Sequence, residues 1–194
     1  MKLHEGPVAP ELAAEHPGLR LAWTEVQATP GRTPPDVRAR LRALADRMHG
    51  AQAIELRRRE VPHLHRVFFH HIGLDPDVVR VPAEAAALRR MREGGLRSRG
   101  LVEDALTVAV METGVGVWAF DAARLVGSPA LGVEAGRIVI ADEAGSVAVL
   151  FEDPGPRAAP AKATTRLALV AVAVPDVPHL FVEEALWTAW EILA

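Results

Sequence analysis

The chain has 194 residues, of which 49 % are hydrophobic and 24 % charged, and it contains no cysteine. Such proportions exclude a disordered chain, because enough apolar surface exists to offset the entropy of ordering. The missing thiols exclude disulfides, a cysteine nucleophile and cysteine zinc sites. The net charge of −3 conceals an imbalance: residues 38–99 carry 14 arginines against 7 acidic residues.

A basic portion joined to an acidic remainder can present a polyanion-binding face on a slightly acidic molecule. The plainer reading is that the arginines solvate helix surfaces. No run approaches the roughly 18–20 apolar residues of a membrane span. The opening residues, Met1-Lys2-Leu3-His4-Glu5, lack an apolar signal core, so a cytoplasmic protein is expected.

In chain order, residues 19–28 alternate around Trp23 and predict a half-buried strand. Residues 29–35 hold three prolines and a glycine and form a turn. Val37, Leu41, Leu44 and Met48 recur at helical spacing, with Gly50 expected to stop that helix. A second helical stretch covers 51–60, and Pro62 suits the first turn of a third, over 63–72. Pro82 opens a helix through Ala85, Leu88 and Met91, ended by Gly94 and Gly95. Residues 101–113 predict a mostly buried helix capped by Gly114.

The pattern then changes. Residues 115–120, 137–141, 146–151 and 165–174 are rich in Val, Ile, Leu and Ala and predict strands. Asp142-Glu143-Ala144-Gly145 suits a hairpin connection. Residues 167–174 lack polar alternation, so that strand should be buried on both faces. Residues 152–162 form a long irregular loop, of the kind that is often functional. Residues 178–193 predict an amphipathic helix. Helices gathered early and strands late argue for an α+β fold.

Chemistry is less legible. His63, His65, His70 and His71 cluster, but His-x-His beside His-His matches no established zinc spacing, so no metal and no other cofactor is expected. No phosphate-cradling glycine loop and no nucleophile elbow is present. Glu152-Asp153 stands at the edge of the long loop, where a carboxylate could position a water, although acids on loops are usually just solvated.

The order of segments carries more than any single residue. His70–Pro76, Arg80 followed by Pro82-Ala83-Glu84, Leu88-Arg89-Arg90, Leu101-Val102-Glu103, Gly114, Ala119-Phe120-Asp121, Ile138-Val139-Ile140-Ala141-Asp142 and Thr164-Thr165 stand in an order that resembles the B3/B4 domain of the phenylalanyl-tRNA synthetase beta chain. The resemblance covers about residues 60–175, and it implies a single free-standing domain over 1–194.

It further implies an α+β fold with a β-sandwich-like core and flanking helices. In the synthetase this domain hydrolyses tyrosine wrongly esterified to the phenylalanine tRNA, without a metal. An aminoacyl ester is already activated, so a pocket that holds it, orients a water and stabilises the oxyanion through backbone N–H groups suffices.

On this resemblance Thr107, Trp118, Thr164 and Thr165 fall in the substrate pocket, and Glu152 is the candidate for holding water. Trp118 stands where the family has a histidine, and an indole cannot act as a general base. Thr107 stands where the family has an asparagine. The family's glycine-rich turn falls near 148–153, where this chain has no glycine. Arg57, Arg58, Arg59, Arg89 and Arg90 are the candidate RNA contacts, with tRNA the expected partner. The two readings that follow are a tRNA-binding domain, including a trans-acting deacylase, and a non-catalytic binder of a small molecule or protein.

Overall fold

The computed structural model describes residues 1–28, 30–48 and 50–194, and of Ala53 the backbone alone. The fold is mixed α+β, 43 % helical and 21 % strand, with two antiparallel sheets. The expected turn over 29–35 begins at Thr29, outside the described residues.

The first sheet is built around its most apolar strand. The strand Arg166–Ala173 (β7, taking strand numbers in chain order) is buried at every position after Arg166, as an unbroken apolar run requires when both faces are covered. On one side it pairs with β2 (Arg20–Gln27), in register from Arg20 opposite Ala173 to Gln27 opposite Arg166. On the other it pairs with β3 (Val117–Asp121), where Trp118 sits opposite Val170. A short edge strand, β1 (His4–Gly6), pairs with β2, giving the order β1-β2-β7-β3.

The second sheet is a meander of β4 (Ala130–Glu134), β5 (Arg137–Asp142) and β6 (Gly145–Val149). Its apolar residues Leu131, Ile140, Val147 and Ala148 join the same core as the first sheet. The N-terminal segment straps the two together. Leu131 donates its N–H to the Pro7 carbonyl, and Ala9 donates to the Leu131 carbonyl, each at 2.9 Å. Gly6 is required here, because a Cβ would stand 2.3 Å from the Pro129 carbonyl oxygen.

Seven helices flank the sheets among the described residues: α1 (Pro10–Glu15), α2 (Pro35–Arg47), α3 (Gly50–Glu55), α4 (Glu60–His71), α5 (Pro82–Glu93), α6 (Leu101–Thr113) and α7 (His179–Leu193). The helix α7 buries Val182, Ala185, Leu186, Ala189 and Leu193 and packs on β2, β7 and α6. A separate apolar cluster joins α2, α5 and α6 through Leu41, Ala45, Ala86, Ala87, Val108 and Met111.

Local chemistry explains most boundaries. α6 ends at Gly114, whose φ of 82° is the left-handed cap conformation. Pro82 opens α5, and Pro62 sits in the first turn of α4, where a missing N–H costs no helical bond. Gly50 is a correction: it begins α3 instead of stopping α2, which ends as Met48 leaves helical geometry at ψ 81°. The stretch expected as one helix over 51–60 divides into α3, a 3₁₀ turn over Leu56–Arg58, and the start of α4. Three elements, β1, α1 and β4, have no counterpart in the sequence expectations. Among the described residues no helix is long and apolar enough to cross a membrane.

Candidate functional site: an arginine-rimmed cavity

An open cavity of about 1110 Å³ lies between α5, α6, β3 and the long loop after β6. Its floor is apolar, formed by Pro82, Leu106, Val110, Val117, Trp118 and Phe151, and its lining also carries Arg80, Arg89, Arg99 and Lys162 against Glu103, Glu152 and Asp153. Arg80, Arg89 and Arg99 also line an adjoining groove of about 610 Å³, together with Arg92. The apolar floor, with the arginines gathered on the side shared with the groove, suits a ligand with a flat or apolar part and a negative one.

Three polar clusters hold the walls. Asp104, buried near the start of α6, accepts hydrogen bonds from the hydroxyls of Thr33 and Ser98 at 2.5 Å each and from the Arg99 N–H at 2.9 Å. It ties two surface loops to the helix. Asp142, whose side chain is wholly buried, accepts from Arg157 at 2.7 and 3.0 Å and so anchors the long loop to β5. Burial opposes ionisation of Asp142, but the Arg157 bonds and two backbone N–H groups hold its carboxyl below the usual range. The third cluster is Asp77 and Glu84, shared by Arg57, Arg66 and Arg80. The Arg66 hydrogen bond above all, with further charge from Arg57 and Arg80, lowers the Asp77 pKa.

The expected pocket residues divide. Thr107 and Trp118 line the cavity. Thr107 donates its hydroxyl to the Glu103 carbonyl and accepts from Arg89, both at 2.8 Å. The Trp118 indole N–H donates to the Glu152 carbonyl at 2.8 Å and so tethers the long loop. Thr164 and Thr165 are corrections, as neither lines the cavity. The Thr164 hydroxyl, 3 % exposed, donates to Asp121 at 2.7 Å and accepts from the Ala161 N–H, knotting the loop end to β3. Thr165 is exposed, and its carbonyl accepts from the Ala28 N–H.

Glu152 lies on the cavity wall, but its exposed carboxylate pairs with Arg137 on β5. That ion pair turns the carboxylate toward Arg137, so Glu152 is badly placed to hold a water over the cavity. The next residue, Asp153, lines the cavity, is exposed, and has no cation within 4 Å among the described residues.

No glycine marks the turn at 148–153, yet one residue there adopts a glycine-like backbone. Phe151 has φ 70°, in the left-handed region that disfavours side chains. Its ring compensates by packing among aromatics, 4.6 Å from Phe69, 5.8 Å from His65 and 6.1 Å from Trp118. His65 is fully buried: its Nδ1 lies 2.9 Å from the Val61 carbonyl, and its Nε2 has no partner among the described residues. Burial, only partly offset by that bond, pushes its pKa down to about 4. His63, His70 and His71 are exposed, so the four histidines do not share one face.

The candidate RNA arginines are not one surface. Arg89 lines both cavity and groove. Arg90, next to it, turns to α2 and donates to the Ala45 carbonyl at 3.1 Å. Arg57 reaches the groove edge through Asp77, Arg58 pairs with Glu55, and Arg59 is exposed.

No family model matches this chain, and no curated protein does. The site therefore stands on its own geometry. The sequence does not single out Arg92 or Arg99, because one arginine among 14 in residues 38–99 looks like any other, whereas Arg80 stands in the motif order and Asp153 in the Glu152-Asp153 pair. The usable signal is the spacing of Ala85, Arg89 and Arg92, which places two arginines and a small residue on one helical face.

Proposed function

We propose that this chain is a B3/B4-like module, with a sandwich-like pairing of its two sheets, that binds the 3′ end of a tRNA. What carries the reading is the continuity of the apolar cavity with the arginine-lined groove, through residues that line both. The cavity accommodates the aminoacyl group or the terminal base, and the groove takes the backbone that leads to it. Supporting it are the α+β architecture and the placement of Thr107 and Trp118 in one cavity.

Binding is better supported than hydrolysis. The indole N–H is spent on a carbonyl, and the Glu152 carboxylate is spent on Arg137. A trans-acting deacylase is the second reading, favoured by one observation, the unpaired Asp153 carboxylate on the wall. It would orient a water toward the ester carbonyl.

Gel-shift titration with bulk tRNA at several salt concentrations tests the binding. A shift that weakens as salt rises supports it, since phosphate contacts release counterions. No shift leaves the alternative, a module for a small molecule or protein partner. Incubation with a panel of mischarged tRNAs tests hydrolysis: ester loss above buffer that falls in Asp153→Asn supports the deacylase, and none above buffer removes it.

A further inference from the structure

Four arginines line the groove beside the cavity, and two carboxylates, Asp77 and Glu93, line it with them. Both carboxylates are already engaged. Asp77 is shared by Arg57, Arg66 and Arg80, and Glu93 pairs with Arg99. Arg89 and Arg92 have no carboxylate within 4 Å among the described residues, and they stand three positions apart on α5, so they share a helical face. Ala85, one turn before Arg89 and also on the groove wall, leaves room above that face.

Arg89 differs from an ordinary surface arginine in being aimed. Thr107 gives its own hydrogen to the Glu103 carbonyl, so its oxygen lone pair is left to accept from the Arg89 guanidinium. That neutral bond fixes the side chain without cancelling its charge. The remaining N–H groups stand at the junction of cavity and groove, where a planar fork matches a phosphate or carboxylate. An ammonium group would be repelled there.

We infer that Arg89, with Arg92, is an anchor for the phosphate of an organic phosphate ester whose apolar or aromatic part enters the cavity. A nucleotide is the simplest such ligand, and it has two sources, the 3′ end of an RNA or a free mononucleotide. The inference deepens the proposed function by naming the ligand chemistry of the same site, and rests on that reading only for the RNA source.

The experiment is isothermal titration of the full chain with adenosine 5′-monophosphate, adenosine, and the single-stranded oligonucleotide C-C-A. The expected result is that the monophosphate binds at least tenfold more tightly than adenosine. Arg89→Ala, and independently Arg92→Ala should Arg89→Ala fail to fold, closes that gap, while Arg20→Ala, which lines neither cavity nor groove, preserves it. Equal affinities for monophosphate and nucleoside, no binding of any probe, or a gap that survives both substitutions overturns the anchor. Binding of the monophosphate without C-C-A or tRNA supports the anchor and removes the tRNA reading. Binding of tRNA that ignores both substitutions does the reverse.

Discussion

Arg157 reaches across from the long loop to grip Asp142 at the end of β5, closing two hydrogen bonds on a carboxylate with no exposed surface. The same carboxylate accepts backbone N–H bonds from Val126 and Ala144. Removing it breaks four hydrogen bonds at once, although Arg157 keeps its bond to the Gly145 carbonyl. Asp142→Ala should destabilise the protein by about 3 kcal/mol, the scale for breaking a buried, hydrogen-bonded ion pair. Arg157→Ala should cost less, about 1 to 2 kcal/mol, because its head is partly exposed and can be hydrated. Urea unfolding of both variants checks the ranking, and an equal cost would contradict it.

A pH prediction attaches to the same pair. The Asp142 pKa is depressed in the folded state, so its contribution is complete above the ordinary carboxylate range and is lost as pH falls through the folded value. Stability measured below pH 4 should drop more steeply in the native chain than in Asp142→Asn.

His65 acts in a higher window. Its folded pKa of about 4 lies below the ordinary value near 6.5, so the unfolded chain takes up a proton that the folded chain refuses. Stability should therefore rise with pH between about 4 and 6.5, and that slope amounts to about 3 kcal/mol across the window. His65→Phe, with no titrating group, should flatten this part of the curve. An unchanged slope would mean that other groups produce it.

Phe151 sets two effects against each other. Glycine would relieve the left-handed backbone, worth about 1 kcal/mol, but would lose the ring packed against Phe69, His65 and Trp118, worth about 3 kcal/mol or more. Packing wins on these magnitudes. Phe151→Gly should be net destabilising by about 2 kcal/mol and should widen the cavity, and a stabilised variant would reverse the ranking.

Glu152 and Asp153 separate ornament from chemistry. Since the Glu152 carboxylate belongs to an exposed ion pair, Glu152→Gln should change stability by less than about 1 kcal/mol and leave ligand affinity within twofold. Asp153→Asn should alter ligand affinity or turnover instead. Side-by-side titration of the two variants decides between them.

Much of the architecture is legible in the residues. The helix over 101–113 is written by its apolar run and Gly114, and β7 by eight residues without polar alternation. β4 escapes because its five residues are short and half exposed, and β1 because a three-residue edge strand carries no period. The site is legible only in part. Thr107 and Trp118 lie on regular elements, where backbone register fixes side-chain direction. Glu152 and Thr164 sit on the long loop, where one residue's rotation exchanges an inward side chain for an outward one, and tertiary contacts alone set which occurs. The division of the arginines into paired and unpaired is a tertiary property, set by carboxylates from other elements.

The strap formed by residues 6–9 has a practical consequence for anyone handling the protein. Because these residues clasp Leu131 and lie against Pro129, they form a seam between two separately hydrogen-bonded layers. A side chain at Gly6 would press directly on that seam. Substituting Gly6 should therefore loosen the join between the layers before it disturbs either sheet's own ladder.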